Sequence, residues 1–412
     1  MKKVESYILL TLILMAGSLP GFGAIDDIGF QWLFIAIANL IVLSANVFFN
    51  DKKGELHFKI LAKNKMILFF SLLIFFSLIS ITSSENISAS IITLGQFINL
   101  FISSLNILFI LKLSNDIDSD FKLVSNVIIL ILIGELFLSF REILNDFLNF
   151  GLIETGSKKY SGNTGNVNIL SYAILIKIPF LFEKIINAQN KSTKTVLILI
   201  YLLSINLVFT LGSRSAFYMI CLIHFLLFAY LLKNKRFRLV FFAIITFSLS
   251  FLINQNYSSK SFERFSNEIG SVVSSDDSSF QLRKRFINQS ISMILENPLI
   301  GIGIGNWKIE SIKTDGNNLK GYTVPYHSHN DFLEIGAETG LFGMIAFILL
   351  LIYPLLFFEK EINIKNLILF FTFIIYIFDS LINFPFARPA NILIFLLILA
   401  FSYKKIELIK NA

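Results

Sequence analysis

The side chains best suited to acid–base chemistry cluster in the run Tyr-His-Ser-His-Asn-Asp-Phe-Leu-Glu at 326–334. This run contains His327 and His329, two of the four histidines in the chain. Because an imidazole exchanges a proton near neutral pH, the run predicts general acid–base chemistry. Two alternatives remain open. The run caps a membrane helix with polar side chains, or its histidine pair binds a metal, although no third ligand stands nearby in the sequence.

A second candidate, Arg214, stands in the tight turn Gly-Ser-Arg-Ser-Ala at 212–216. A guanidinium binds phosphate through two parallel hydrogen bonds, and Ser213 and its small neighbours leave room for a bulky ligand. The alternative is an arginine that snorkels to the membrane surface. Arg388, in another short connection, is a weaker candidate of the same kind.

The third candidate, Arg283, begins a helix-like stretch that ends before Pro298, where a proline stops a helix. Four residues recur on one face of this stretch: Arg283, Ile287, Ile291 and Ile294. The spacing predicts that this face packs inward and carries Arg283 with it, while Lys284 points away. The alternative is a solvated basic cluster at 283–285.

The elements that must position these side chains are membrane helices. Of the 412 residues, 55% are hydrophobic and only 15% are charged, and the mean hydropathy is +0.72. A soluble domain carries about 25% charged residues. The composition therefore excludes a soluble enzyme and predicts an all-α, polytopic integral membrane protein. Twelve apolar blocks are predicted to span the membrane, at 6–23, 28–49, 66–82, 88–111, 123–140, 168–183, 195–211, 216–232, 237–254, 331–357, 366–382 and 389–403.

We expect one integral membrane domain made of three segments. Residues 1–254 hold spans one to nine, residues 255–330 form one long external loop with short helices, and residues 331–412 hold spans ten to twelve. The first block follows Lys2 and Lys3 and is similar to a signal peptide. It lacks a convincing cleavage site, so we expect a retained helix.

The basic residues orient these spans. Twelve spans place both termini on one side, and that side holds 21 of the 35 Lys and Arg residues. The opposite side holds 13, eight of them in the long loop, and Lys177 lies inside a span. The positive-inside rule predicts cytoplasmic termini and candidate residues that face outward. The net charge of +7 is thereby explained by membrane orientation, and no nucleic acid partner is expected.

Three ionisable residues, Glu135, Lys177 and Asp379, fall inside predicted spans. Buried charges are costly and often functional, so these residues are the features that favour a secondary transporter or flippase. The other polar candidates, however, gather on one side, and the two halves of the chain show no symmetry. The Gly-x-Gly-x-Gly pattern at 301–305 predicts a tight turn, since no strand–turn–helix unit surrounds it as in a nucleotide loop.

Three motifs together resemble the bacterial O-antigen ligases. His329-Asn330, nine residues and then Gly-Leu-Phe-Gly at 340–343 is similar to the signature of that family. The turn at 211–216 resembles its external Ser-Arg turn. Arg283 and the segment 293–307 resemble its stretch Arg … Asn-Pro-Leu-x-Gly-x-Gly-x-Gly-Asn. The motifs occur in the expected order and on the same predicted side, between about residues 166 and 343.

The resemblance implies a class C-like, all-helical glycosyltransferase in the bacterial inner (cytoplasmic) membrane, with its site facing the periplasm. It implies a metal-independent enzyme without a cofactor. The donor would be a glycan on undecaprenyl diphosphate, and the acceptor a hydroxyl of lipid A-core, another glycan or a protein. The alternative is an O-antigen or exopolysaccharide polymerase with a lipid-linked glycan acceptor. The chain departs from some relatives at Ile287, often Trp, and at Met344-Ile345, often Thr-Thr, which leaves the acceptor open.

Chemistry of this kind gives each candidate a role. Arg214 and Arg283 would stabilise the negative charge that develops on the leaving diphosphate. His329 would take the proton from the acceptor hydroxyl or orient that hydroxyl. The remaining candidates are expected to bind substrate: Ser213, Tyr326, Asn330, Glu334, Glu338 and Arg388.

Overall fold

The structure, a computed structural model, describes residues 3–20, 26–49, 64–113, 116–151, 153–259, 278–315, 325–357 and 363–411. These residues form fifteen α-helices: α1 (Lys3–Ala16), α2 (Asp27–Phe49), α3 (Lys65–Ser80), α4 (Ile87–Leu113), α5 (Ile117–Phe150), α6 (Val167–Leu175), α7 (Ile178–Asn187), α8 (Lys191–Leu211), α9 (Arg214–Lys233), α10 (Phe237–Tyr257), α11 (Ser278–Glu296), α12 (Trp307–Asp315), α13 (Asp331–Ile352), α14 (Ile364–Ile382) and α15 (Pro389–Asn411). Short 3₁₀ turns lie at Ile81–Ser83, Lys158–Thr164, Tyr353–Phe357 and Pro385–Ala387. One small parallel pairing joins β1 (Ile153–Glu154) to β2 (Ser258–Ser259), with Ile153 opposite Ser258.

Eight of these helices contain a segment long and apolar enough to cross a membrane: Asp27–Ala45, Lys65–Ser83, Ile87–Lys112, Ile117–Phe150, Lys191–Leu211, Arg214–Lys233, Asp331–Leu356 and Ile364–Ile382. Three shorter apolar helices cover Glu5–Ala16, Val240–Asn254 and Pro389–Tyr403. Large apolar side chains such as Phe137, Phe225 and Phe241 are exposed on the outside of the bundle. Lipid covers such a surface well, whereas water does not. The predicted all-α, polytopic membrane fold is confirmed.

The expected count of twelve spans remains a prediction. One of the expected spans is not a single continuous helix. The block at 168–183 forms two short helices, α6 and α7, that meet at Ile176 and Lys177. Pro179, near the start of α7, lacks the N–H that would continue the helical hydrogen bonding. The break places Lys177 deep in the bundle, where its Nζ donates to the Ala173 carbonyl at 2.6 Å.

The ionisable groups inside the bundle are held by partners from the protein. Lys177 Nζ forms a fully buried ion pair with Glu135 Oε1 of α5 at 2.8 Å. The Asp379 carboxylate accepts a hydrogen bond from Asn383 at 2.8 Å and another from Asn391 at 3.1 Å. The two asparagines lie on either side of the α14–α15 connection. Glu135 and Lys177 therefore stabilise each other, and Asp379 holds the α14–α15 connection.

The glycine-rich segment 297–305 forms a turn, as predicted, and it is seated on α13. Gly340 interrupts α13 with φ +73°, and Leu341 N there donates to the Pro298 carbonyl at 2.8 Å. A Cβ at Gly340 would lie 2.4 Å from the Leu299 carbonyl oxygen, and one at Gly301 would lie 2.4 Å from the Glu338 carbonyl carbon. Only glycine allows this approach of the two backbones. The motif therefore fixes the external segment against the bundle.

Helix α11 packs on α13 through a small apolar core of its own, made of Phe286, Met293, Ile302, Trp307 and Ala337. The Trp307 indole N–H also donates to Ser290 Oγ at 2.8 Å. The prediction that Ile287 and Ile291 pack inward is wrong, since they are 37% and 42% exposed. Phe286, one position before Ile287, fills the contact between α11 and α13 instead. The buried face of α11 is therefore centred nearer to Phe286. Arg283 is still carried inward at the edge of this face and is half-buried, whereas Lys284 is exposed.

Candidate active site

The candidate residues lie at one end of the helical bundle. The start of α13 meets the end of α14 and the start of α15 there, and Tyr172 lies near the start of α9, Arg283 and Asp379. Helix α11, from the long loop, lies against α13 at the same end. This arrangement brings segments near residues 214, 283, 329 and 388 to one face.

Two connections at this end are tied together by hydrogen bonds. Asn330 Nδ2 donates to the Leu381 carbonyl at 3.0 Å, and Phe386 N donates to Asp331 Oδ2 at 3.1 Å. Asn330 is also the N-cap of α13, because its Oδ1 accepts from Leu333 N at 3.0 Å. The start of α13 and the α14–α15 connection thus form one rigid unit.

His329 has φ +57°, a left-handed conformation that is uncommon for a residue with a Cβ. The residues on both sides hold it there. Ser328 Oγ donates to the Asn330 carbonyl at 2.8 Å and accepts from Asn330 N at 3.1 Å. A strained residue that its neighbours fix in this way is frequent at functional sites. The conformation sends the side chains of His327 and His329 in different directions.

The ring of Phe384 separates the two histidines. His327 stacks on it with ring centroids 4.2 Å apart and an interplanar angle of 19°. His329 meets it edge-on, at 5.1 Å and 82°. The guanidinium carbon of Arg388 lies 4.6 Å from the same centroid, within range of a cation–π interaction. One aromatic ring therefore sets the relative positions of three candidate side chains.

His329 lies between two aromatic rings and beside positive charge. Its ring is parallel to Phe286 of α11, with centroids 6.0 Å apart. Burial, and after it the nearby positive charge of Arg283, lower the pKa of His329 to about 4. The imidazole is therefore neutral at pH 7, and its buried Nδ1 forms no hydrogen bond with the described residues.

His327 has a different partner, a carboxylate. Its Nδ1 shares a hydrogen bond with Glu334 Oε1 at 2.7 Å, and Ser328 N donates to Glu334 Oε2 at 2.7 Å. The sequence analysis expected Glu334 to bind substrate and did not predict this pair. The signal that could have revealed the pair is the spacing between His327 and Glu334, because the backbone at His327 turns back towards the first turn of α13.

A cavity of about 550 Å³ opens beside His327. Its wall combines aromatic rings, carboxylates and two cations: Trp32, Phe97, Phe386, Asp26, Asp331, Glu334, Glu338, Lys308 and Arg388. Tyr326 also lines it, with Lys308 Nζ 5.5 Å from its ring centroid. Aromatic rings can pack against the apolar faces of a ligand, and neighbouring charged groups can form hydrogen bonds with its hydroxyls. The cavity therefore suits a polar and bulky ligand. The contributions of α2 and α4 to this wall had no signal in the sequence.

Arg214 is the first residue of α9 and is half-buried, after the buried N-cap residue Ser213. Gly212 makes the turn possible: its φ is +66°, and a Cβ would lie 2.9 Å from Thr155 Cγ2. The phenol of Tyr172 lies beside the Ser215 hydroxyl and within electrostatic range of Arg283. Tyr172 thus connects the start of α9 to the arginine of α11.

The predicted binding residues fall into three groups. Tyr326, Glu334 and Glu338 line the cavity, and Glu338 Oε1 also accepts from Trp307 N at 3.0 Å. Arg388 lines the cavity too, and burial lowers its pKa to about 10, so it remains charged. The amide of Asn330 bonds within the protein at both ends, so its binding role remains a prediction. Among the described residues, no three His, Cys, Asp or Glu side chains are grouped so as to hold a metal ion.

These features define a membrane protein of many helices with a polar, partly cationic site at one end of the bundle. Residues 199–348, which hold Arg214, Arg283 and His329, match the family model described as O-antigen ligase. The chain is therefore similar to the O-antigen ligases over this region, which confirms the resemblance predicted from the sequence.

Curated relatives agree with this assignment. A ComP-specific O-oligosaccharyltransferase of Acinetobacter baylyi is 28% identical over 252 residues, which cover 60% of this chain and 44% of the relative. An uncharacterized protein of Haemophilus influenzae is 26% identical over 209 residues, 49% of this chain and 51% of that protein. A protein of Rickettsia conorii named as a candidate polysaccharide ligase is 37% identical over 78 residues, 18% of each chain. The chain thus spans about half the length, or less, of the curated relatives it matches.

Proposed function

We propose that this protein transfers a glycan from undecaprenyl diphosphate to an acceptor hydroxyl in the bacterial cell envelope. The similarity of residues 199–348 to the O-antigen ligases supports this reaction class, as does the similarity to an O-oligosaccharyltransferase. The observation that carries the proposal is the placement of Arg283 beside a neutral His329, with Arg214 at the nearby start of α9.

The arginines suit a diphosphate. A guanidinium donates two parallel hydrogen bonds to phosphate oxygens and keeps its charge at any physiological pH. The N-terminus of the 20-residue helix α9 adds partial positive charge next to Arg214. Two fixed cations on different elements can bind the two phosphate groups from different directions. They replace in this proposal the divalent cation that many diphosphate-binding enzymes use, so the reaction is metal-independent.

The chemistry requires that one bond form and one bond break. The acceptor oxygen attacks the anomeric carbon of the first sugar, the bond from that carbon to the diphosphate oxygen breaks, and the electron pair leaves with the lipid diphosphate. Negative charge therefore grows on the leaving group. Arg214 and Arg283, held before the reaction begins, stabilise that charge more in the transition state than in the bound donor.

His329 acts in this proposal on the donor side. A neutral imidazole between Phe286 and Phe384 donates a hydrogen bond without adding a third charge, and its position beside Arg283 directs it at the same headgroup. This donor-side role differs from both roles expected from the sequence, proton removal from the acceptor hydroxyl and orientation of that hydroxyl. A group with a pKa of about 4 is a weak base at pH 7.

The acceptor enters through the 550 Å³ cavity beside His327, and the site faces the periplasm. The distribution of Lys and Arg supports this orientation, with 21 of 35 on the side opposite the site. The protein then lies in the bacterial inner membrane with both termini in the cytoplasm. The acceptor is lipid A-core, another glycan or a protein hydroxyl. A polymerase would use the same site with a lipid-linked glycan as acceptor.

In-vitro transfer from a defined undecaprenyl diphosphate glycan tests the proposal. We expect Arg283→Ala and Arg214→Ala to lower transfer at least about 100-fold, since each removes a fixed donor to the developing charge. The matched controls are Lys284→Ala, exposed on the same helix, and Arg141→Ala, exposed at the end of α5, which should transfer at the wild-type rate. A chelator should leave the rate unchanged.

Three results decide the outcome. Equal rates for Arg283→Ala and Lys284→Ala would contradict the site. Loss of activity with chelator, restored by a divalent cation, would contradict metal independence. Flipping of the lipid-linked glycan across vesicle membranes with no transfer would favour the transporter alternative instead.

A further inference from the structure

Resting on the proposed function, we propose that His327, held by Glu334, is the base that takes the proton from the acceptor hydroxyl. Glu334 is a positioning residue in this proposal, since it acts through the imidazole. The proposal assigns proton removal to a histidine other than His329.

The hydrogen bonds around Glu334 fix the orientation of His327. One carboxylate oxygen bonds Nδ1 of His327 at 2.7 Å, and the other accepts from Ser328 N at 2.7 Å. Both oxygens are therefore engaged, and Glu334 lies on the first turn of α13, a rigid element. A carboxylate that accepts from Nδ1–H leaves the Nε2 lone pair free and stabilises the imidazolium that forms when Nε2 takes a proton.

The position of His327 suits an acceptor. Its side chain is 25% exposed and lines the 550 Å³ cavity, while its ring lies flat on Phe384 at 4.2 Å. The cavity offers the aromatic surface of Trp32 and the amide of Gln96 to a sugar. A hydroxyl bound there lies beside the imidazole of His327.

The proton of the acceptor moves first to His327 and then to water. The acceptor hydroxyl gives its proton to Nε2 of His327, which becomes imidazolium beside the Glu334 carboxylate. The freed oxygen electron pair forms the bond to the anomeric carbon, and the diphosphate leaves with the electron pair of the broken bond. The imidazolium then loses its proton to water in the open cavity, and the site returns to its starting state.

An azide ion tests the base directly, because azide attacks the anomeric carbon without losing a proton. We expect His327→Asn to lower transfer to the hydroxyl acceptor about 100-fold or more, the usual contribution of a general base. The same variant should form the glycosyl azide at the wild-type rate. Glu334→Gln should lower hydroxyl transfer about tenfold, the difference between a charge-assisted and a neutral hydrogen bond, and should also leave azide transfer unchanged.

The controls separate chemistry from folding. Glu142→Gln, at a half-buried carboxylate of α5 paired with Arg141, should match the wild type with both acceptors. Arg283→Ala should lose both reactions, because it acts on the leaving group. A variant that merely misfolds would lose azide transfer as well, so the ratio of azide to hydroxyl rates identifies the base.

Two results would overturn the assignment. Normal hydroxyl transfer by His327→Asn would exclude His327 as the base. Equal loss with azide and hydroxyl would make His327 a structural or donor-side residue. Absence of transfer in the wild type itself would contradict the proposed function, a failure that is distinct from both.

Discussion

His327 and His329 are two residues apart, yet they occupy contrasting surroundings on two sides of Phe384. His327 bonds a carboxylate and lines a cavity, whereas His329 lies between two aromatic rings beside Arg283. In the first surroundings a carboxylate orients the ring of His327, and in the second burial beside positive charge keeps the ring of His329 neutral. The same residue type is thus prepared for two different tasks within one short segment.

The backbone at His329 produces this contrast. In an extended segment, residues i and i+2 point to the same side, and both histidines would meet one ligand. The φ of +57° at His329 breaks that pattern, and the two rings contact Phe384 in different orientations. We infer that the donor and acceptor sides of the site are divided at this ring, with His329 on one side and His327 on the other.

Phe384→Ala gives the largest effect, because it removes the ring that positions both histidines and Arg388. We expect transfer to fall about 1000-fold or more, since misplacement of about 1 Å alone costs about 100-fold. The loss should affect hydroxyl and azide acceptors alike. Truncation of a buried Phe also costs about 3–5 kcal/mol of stability, so thermal unfolding must be measured beside activity.

Phe384→Leu serves as the milder variant, and Phe225→Ala, an exposed phenylalanine on the outer surface, serves as the control. If Phe384→Leu folds and transfers to both acceptors at the wild-type rate, the ring does not divide the site.

His329→Gln tests the donor-side role of His329 in the comparison with His327. Glutamine keeps a hydrogen-bond donor but loses the planar fit between the rings, and we expect about 100-fold lower transfer. Unlike His327→Asn, the variant should lose azide and hydroxyl transfer by the same factor. Steady-state kinetics with both acceptors measure this. A selective loss of hydroxyl transfer would instead make His329 the base.

Asn330→Ala weakens the link that holds both histidines in place. It removes the N-cap of α13 and the hydrogen bond to the Leu381 carbonyl, so we expect a loss of about 1 kcal/mol in stability. Asn330→Asp keeps the cap but loses the donor to Leu381, and it should recover most of that stability. Chemical denaturation in detergent compares the two. Equal stability of Asn330→Ala and wild type would mean that the cap contributes nothing.

The pH dependence of stability tests the protonation state of His329 without a measurement of transfer. The unfolded chain protonates His329 below about pH 6.5, whereas the folded protein does so only below about pH 4. Acidification between these values therefore favours unfolding through this residue. The neighbouring charges that face it are Arg283, His327, Glu334 and Arg388.

We expect His329→Gln to lose less stability than wild type between pH 6.5 and 4, with a difference of up to about 3 kcal/mol. Thermal unfolding across this range measures the difference. Parallel curves for the two proteins would show that His329 is not buried as a neutral ring.

The sequence predicted most of the fold and the identity of the site segments. Blocks of apolar residues are a direct signal of membrane helices, and the glycine pattern at 301–305 was correctly predicted as a turn. The break at Lys177 was not predicted, because an apolar block looks the same whether its helix is continuous or broken. Its partner Glu135 lies 42 residues away, and no local pattern reports such a contact.

The site itself was only partly predictable. The sequence motifs indicated His329 and Arg283 as candidates. The positions of these residues relative to Phe384, Tyr172 and the cavity wall of α2 and α4 depend on packing between distant segments. The error at Ile287 and Ile291 has a similar cause. Periodicity defines a face to within about one residue, and the bulk of Phe286 decided which face is buried.

Binding of undecaprenyl diphosphate without its glycan tests the division of the site most directly, because no reaction is needed. In lipid nanodiscs, His327→Asn should bind this lipid with the wild-type Kd, while Arg283→Ala should bind it at least about tenfold more weakly, the loss of roughly one charge-assisted contact. Equal weakening in both variants, or no weakening in either, would contradict the account.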